Sequence, residues 1–118
     1  MNKLTDCPAE RATYFFGGKW KIRILFILYN QKKARFGAIK KTLNSITQQM
    51  LSKQLKELEI DGLINRNVKQ IMPPKVEYSL TLFGSSLIPI LKSLSNWNEK
   101  NSKVINLKLN KNFDEKRI

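Results

Sequence analysis

Hydrophobic residues recur at a helical period along the stretch from Thr47 to Gly62. Steps of three and four place its apolar side chains on one stripe, which consists of Met50, Leu51, Leu55 and Leu58. The opposite face is polar and carries no carboxylate among Gln48, Gln49, Ser52, Lys53 and Lys56. Thr47 can cap the first turn through its hydroxyl, and Gly62 stands where a left-handed residue ends a helix. The pattern predicts a helix with a buried back and a polar, cationic front.

Three further helical segments precede this stretch. The first is a short helix predicted over Pro8–Phe16, with proline at its start and Gly17-Gly18 at its end. Lys19–Asn30 is the most apolar segment and predicts a core helix, although its β-branched and aromatic content leaves a strand open. The cations expected to stay polar on it are Lys19, Lys21 and Arg23. After a polar turn over Gln31–Ala34, helical spacing returns in Arg35–Leu43, and a tight connection leads to Thr47. Two helices joined in this way, the second with a basic polar face, match a helix-turn-helix.

The period changes after Gly62 to that of strands. Leu63–Ile71 and Lys75–Thr81 predict a β-hairpin, and in the second strand apolar and polar residues alternate as in a half-buried strand. Prolines are excluded from a central ladder, so Met72-Pro73-Pro74 marks the tip. A basic hairpin after a helix-turn-helix is typical of the wing of a winged helix. The alternative is a plain hairpin with solvated charges.

The chain ends with a long apolar helix, predicted to be capped by Thr81, to run to about Lys100 and to bend at Pro89. Its stripe is formed by Leu87, Leu91 and Leu94, with Trp97 adjoining it. This is more apolar surface than so small a core needs, so we expect it to pair with a second subunit. Packing within the same chain is the alternative. Residues 101–118 show no clear period, and we expect a frayed extension or tail there.

Charge points to a polyanionic partner. The 118 residues include 22 Lys and Arg against 9 Asp and Glu, a net charge of +13 at pH 7. Such an excess is typical of proteins that bind nucleic acid or an anionic membrane surface. No apolar run approaches the roughly 20 residues of a spanning helix, and the N-terminus lacks the apolar core of a secretion signal. We therefore expect a cytoplasmic, nucleoid-associated protein rather than a membrane protein.

The chain has few of the residue types that commonly carry out catalysis. It has no histidine, and its single cysteine can build neither the usual zinc site nor an intrachain disulfide. Gly17-Gly18 is a helix breaker rather than part of a phosphate-binding loop. We expect no catalytic residues, no metal and no cofactor.

Double-stranded DNA is the partner that the front of the Thr47–Gly62 helix fits. Glutamine can pair with adenine, and lysine with guanine or phosphate. The residues expected at base edges are Gln48, Gln49, Ser52 and Lys53. Those better suited to phosphates are Lys56, Arg35, Lys40, Arg66, Lys69 and Lys75. The alternatives are a solvated amphipathic helix, a sequence-independent architectural DNA-binding protein, and a winged helix that binds another protein.

A set of short motifs occurs in an order that resembles a known family. The motifs are Cys7-Pro8, GGKW at Gly17–Trp20, Arg35-Phe36, Met50-Leu51 with Gln54-Leu55, LEIDGLINR at Leu58–Arg66, PPKVEYSLTLFG at Pro73–Gly84, Pro89 and Trp97. Together they closely resemble the HxlR-type bacterial transcriptional regulators, relatives of the MarR-type winged-helix proteins. The resemblance covers about Cys7 to Lys100.

This resemblance implies an α+β, mainly α fold: a winged helix-turn-helix with flanking N- and C-terminal dimerisation helices over residues 1–100. It implies a homodimer built from the first and last helices, with Tyr14 at the interface beside the stripe of the long helix. It also implies a repressor or activator on an inverted-repeat operator, with any small-molecule effector left open. In several relatives a cysteine at this N-terminal position senses oxidants or electrophiles, which here is the position of Cys7. The alternative for Cys7 is a small interface residue that packs like alanine.

Overall fold

The computed structural model describes residues 6–117, and their side chains as far as residue 110. Its elements in chain order are α1 (Pro8–Ala12) with a 3₁₀ turn (Thr13–Phe15), α2 (Lys21–Gln31), β1 (Lys33–Arg35), α3 (Phe36–Leu43), α4 (Gln48–Ile60), β2 (Ile64–Gln70), β3 (Lys75–Leu80), α5 (Leu82–Lys100) and α6 (Ser102–Arg117). The chain forms two compact units, of which the first ends at Ile88 and the second begins at Pro89. The fold class predicted from the sequence is confirmed, since helices dominate and accompany one small sheet.

The core of the first unit is built from α2, α3, α4 and the start of β2. Its most completely buried side chains are Ile24, Leu25, Leu28, Ile39, Leu51, Leu55, Leu58, Leu63 and Ile64. The predicted core helix is therefore confirmed as a helix. One of its cations was misplaced, however, because Lys21 is buried rather than solvated. A contact with α4, 36 positions along the chain, explains that burial and is described with the site.

The two helices of the predicted helix-turn-helix are α3 and α4. Thr47 caps α4, since its Oγ1 accepts a hydrogen bond from the Met50 N–H at 3.0 Å. Gly62 ends the helix with φ +80°, and the Leu63 N–H donates to the Leu58 carbonyl at 2.9 Å. Met50 corrects the predicted stripe, because it is 36% exposed. It lies about 100° around the helix from Leu51, on the edge of the buried stripe.

The sheet has the order β1-β3-β2, with both pairs antiparallel. The β2–β3 hairpin and its turn at residues 71–74 confirm the predicted wing. Strand β1 lies where a polar turn was predicted, and it pairs Ala34 with Tyr78. Because β3 is central, with a neighbour on each side, Val76 to Leu80 are all half-buried. The expected alternation of burial along β3 is therefore absent.

Thr81 joins the end of α4 to the start of α5. Its Oγ1 accepts from the Gly84 N–H at 2.9 Å and donates to the Gly62 carbonyl at 2.6 Å, which confirms the predicted cap. Its own N–H donates to the Leu63 carbonyl at 3.0 Å. A Cβ at Gly84 would overlap that same carbonyl, so the close approach of the two segments requires glycine.

The last part of the chain corrects an expectation. Pro89 lies inside α5 as predicted, but residues 102–117 form α6 rather than a frayed extension. The Ile105 N–H donates to the Asn101 carbonyl at 2.9 Å, so helical hydrogen bonding begins directly after α5. The segment contains neither proline nor glycine. It has no clear apolar period that would predict a helix, but it also has no residue that would interrupt one.

Candidate nucleic-acid interface

The front of α4 is exposed along its first two turns. Gln48, Gln49, Ser52 and Lys53 are all exposed, while Leu51 and Leu55 are buried behind them. Together with Thr47, the two glutamines and Ser52 line a shallow depression of about 700 Å³. The Thr47 cap fixes where the helix starts, and the buried leucines fix its rotation. Three of the four side chains predicted for base edges therefore line one surface, and Lys53 is exposed next to Ser52 in the sequence.

The amide groups of this front are free for a partner. Within the described part of the chain, no hydrogen bond engages the side chains of Gln48 or Gln49. The first turn of α4 contains no acidic residue, so nothing offsets the positive end of the helix dipole there. This combination of polar side chains and positive potential favours a polyanion that displays hydrogen-bonding groups.

A second depression of about 370 Å³ lies between α4 and the wing. It brings together three residues predicted to bind DNA, namely Ser52, Lys56 and Arg66. Phe36, Glu59 and Tyr78 complete its lining. Tyr78 was not among the residues predicted to bind DNA, and it is half-buried in β3 at the edge of this depression. The cross-strand pairing of Arg66 with Tyr78 sets the two side by side.

The remaining predicted cations lie apart from this depression. Arg35 is exposed in β1 and pairs across the sheet with Glu77, while Lys40 is half-buried in α3. Lys69 and Lys75 are exposed where the two strands of the wing meet its turn. The register shifts between Val68 and Gln70, which leaves Lys69 in a bulge. These two cations of the wing therefore lie together next to its turn.

An ion pair with α2 holds the C-terminal half of α4 in place. The Lys21 Nζ lies 2.8 Å from the Glu57 Oε1, with the side chains 11% and 39% exposed respectively. The hydrogen bond from Lys21 holds the pKa of Glu57 below its ordinary value, and the charges of Lys21 and Lys53 act in the same direction against desolvation. Sequence reasoning could not find this pair, because nothing local links positions 21 and 57.

The residues predicted for sensing and dimerisation lie elsewhere. Cys7 is exposed and precedes α1, where its carbonyl accepts from the Arg11 N–H at 3.0 Å. Tyr14 is 55% exposed, and its hydroxyl donates to Asp61 Oδ1 at 3.4 Å. Along α5, Leu87 is half-buried and Leu91 fully buried. Leu94 and Trp97 are 48% and 63% exposed.

Neither a metal site nor a membrane span emerges from the described residues. Residues 6–110 contain no group of three or more ligating side chains close enough to share a metal ion. Among the described helices, none is both long and apolar enough to cross a bilayer.

A helix-turn-helix with an exposed polar second helix, followed by a basic hairpin, defines a winged-helix DNA-binding regulator. Residues 15–106 match the HxlR-like helix-turn-helix family. The chain belongs to this family and is a transcriptional regulator with a helix-turn-helix domain. The match extends beyond Lys100, where the resemblance in the sequence ended. Members of the family are regulators rather than enzymes.

Individual relatives agree with this assignment. The chain is 49% identical over 94 residues to YdeP of Bacillus subtilis (strain 168), an uncharacterised HTH-type transcriptional regulator, covering 80% of this chain and 73% of that one. Among solved structures, the redox regulator HypR in its reduced form is 43% identical with a TM-score of 0.80, covering 85% and 98% of the two chains. A MarR-family transcriptional regulator from Enterococcus faecalis V583 is 34% identical with a TM-score of 0.75, covering 90% and 98%.

Proposed function

We propose that this regulator reads a specific DNA sequence through the front of α4. The observation that carries the proposal is the pair of free glutamine amides on a capped helix whose back is fixed by buried leucines. Glutamine can form a bidentate hydrogen bond with adenine in the major groove. Ser52 and Lys53 extend the same surface toward the neighbouring bases.

Phosphate contacts on either side of the groove would hold α4 in register. Lys56 and Arg66 meet in the depression beside α4, within reach of one backbone strand. Arg35 and Lys40 offer further charge on the preceding elements, and Lys69 and Lys75 on the wing. Such contacts stabilise binding to every DNA sequence alike. The base preference would therefore come from the side chains at base edges, which are Gln48, Gln49, Ser52 and Lys53.

The proposed regulator acts as a homodimer on an inverted repeat. Leu94 and Trp97 expose apolar surface on α5, which favours burial against a second copy. Leu91 is already buried and would add little, whereas Tyr14 is 55% exposed on the first unit. In a two-fold dimer the two copies of α4 would lie about 34 Å apart, one turn of DNA.

Selection of bound duplexes from a random DNA pool tests this proposal. We expect a consensus of two inverted half-sites whose centres are about 10 base pairs apart. Enrichment of a single half-site would contradict the dimer, and enrichment of no sequence would contradict specific reading altogether.

The net charge of +13 favours one competing function, that of a sequence-independent architectural DNA-binding protein. Such a protein would bind competitor DNA as tightly as any selected duplex at moderate salt. The free amides of Gln48 and Gln49 argue against it, because a protein that binds only the backbone has little use for them.

Oxidation of Cys7 is the proposed input signal. Its exposure at the start of α1 and the similarity of this chain to a protein named as a redox regulator support the proposal. Diamide should weaken or strengthen operator binding severalfold in the wild type, measured by gel shift, and a thiol reductant should restore it. The variant Cys7→Ser should not respond. Equal behaviour of the two proteins would exclude Cys7 as the sensor.

A further inference from the structure

The turn of the wing is an uninterrupted apolar surface in solvent. Ile71 and Met72 are 80% and 84% exposed, and Pro73 and Pro74 are exposed beside them. Four consecutive exposed apolar residues are unfavourable in a folded protein unless they serve an interaction. The proposed contacts of α4 and the basic stem do not use them.

The turn is also held in shape. The Gln70 Nε2 donates to the Met72 carbonyl at 3.1 Å, and two consecutive prolines restrict the backbone after it. Directly behind the turn, Lys69 and Lys75 are exposed on the two strands. A rigid apolar tip on a cationic stem is complementary to a groove with apolar walls between two rows of phosphates.

The length of the wing suits the minor groove next to α4. Arg66 lies in the depression beside α4, and Ile71 follows five residues later. At about 3.3 Å per residue the stem spans about 17 Å. On one face of the duplex, the minor groove lies half a helical turn from the major groove that α4 would occupy. This separation is also about 17 Å.

We propose that Ile71 and Met72 form an apolar wedge that enters this minor groove and partly unstacks one base step in each half-site. Isoleucine, methionine and proline are among the residues that minor-groove proteins insert in this way, with kinks of about 20–90°. Since TA and CA/TG steps unstack most easily, the wedge adds a preference for such a step at a position where no base edge is hydrogen-bonded. The inference rests on the proposed DNA binding and adds indirect readout to it.

Fluorescence of 2-aminopurine, placed in turn at each minor-groove step of the selected duplex, tests the wedge. With saturating wild-type protein we expect a severalfold rise at one step per half-site. The double variant Ile71→Ser/Met72→Ser should lose this rise and the selected TA or CA/TG step, while keeping the major-groove consensus. A matched control, Ile60→Ser/Leu82→Ser, removes two side chains that are 73% and 92% exposed outside the wing, and it should retain the rise.

Two results would overturn the wedge while leaving the proposed function intact. One is binding of the wild type to its consensus with unchanged fluorescence at every step, the result expected if the tip docks another protein instead. The other is a rise that persists in Ile71→Ser/Met72→Ser. Equal binding to all duplexes would contradict the proposed function. In that case the 2-aminopurine measurement on a duplex that contains TA steps would test the wedge independently of sequence-specific binding. Thermal unfolding followed by circular dichroism should match among the three proteins, because all four substituted side chains are exposed.

Discussion

The ion pair between Lys21 and Glu57 shows how single residues fix the position of α4. The Lys21 side chain is 11% exposed, so its positive charge depends on the Glu57 carboxylate for stabilisation. The Glu57 side chain is 39% exposed and retains access to water. The two partners are therefore unequal. Removing the carboxylate leaves a nearly buried cation without its partner, while removing the cation leaves a carboxylate that water can still solvate.

We predict that Glu57→Gln lowers the free energy of unfolding by about 1–3 kcal/mol at pH 7. Lys21→Met should cost less, under about 1 kcal/mol, because an apolar side chain of similar length fills the same space. Urea denaturation of both variants measures the difference. A larger loss in Lys21→Met than in Glu57→Gln would contradict this account of the pair.

The same pair predicts a pH dependence. Because the folded-state pKa of Glu57 is lowered, its contribution is complete above the ordinary carboxyl value of about 4.3. That contribution is lost as the pH falls through the lowered value. The stability difference between wild type and Glu57→Gln should therefore shrink between pH 5 and acid conditions, again measured by urea denaturation. A difference that stays constant over this range would exclude Glu57 as the titrating group.

At the scale of elements, the junction between the wing and α5 depends on a close backbone contact. The backbone of Gly84 approaches the Leu63 carbonyl so closely that a Cβ would overlap it, and the obstacle is backbone that cannot move aside as a side chain could. Thr81 holds the same junction through two hydrogen bonds of its hydroxyl. The start of α5 is thereby fixed against Gly62 and Leu63, which lead from α4 into β2.

We predict that Gly84→Ala destabilises the chain by about 1–3 kcal/mol through this overlap. Gly37→Ala provides the matched control, since a Cβ at helical Gly37 meets nothing within 4 Å. Alanine should stabilise that helix by up to about 1 kcal/mol. Chemical denaturation compares both variants with the wild type. If the two substitutions had the same effect, the Leu63 contact would not be the reason for glycine at position 84.

The elements that sequence predicts well are those whose signals are local. The cap at Thr47, the glycine at position 62 and the prolines of the wing turn each act on their own few residues, so α4 and the hairpin were found with nearly correct bounds. Strand β1 was missed because three residues carry no period, and its pairing partner lies more than forty positions away. Lys21 was misplaced for the same reason, because an ion pair with a residue 36 positions away determines its surroundings.

At the scale of the whole molecule, the net charge and the exposed apolar side chains of the second unit both favour binding to partners. The net charge of +13 repels itself in a compact structure, and a duplex would neutralise it. Apolar side chains on the second unit remain in solvent, among them Ile90, Leu94, Trp97, Val104, Leu107 and Leu109. A second copy that covered part of this surface would couple two reading helices to one operator.

The variant Gln49→Ala tests most directly whether the front of α4 contacts base edges, as proposed. Binding to the selected operator and to all its single-base substitutions should be measured for wild type, Gln49→Ala and Lys69→Gln. We predict that Gln49→Ala loses about 1–3 kcal/mol on the operator and discriminates less at one base position in each half-site. Lys69→Gln should weaken binding to all sequences alike and reduce its salt dependence. An unchanged base preference in Gln49→Ala would contradict the assignment of this face to the major groove.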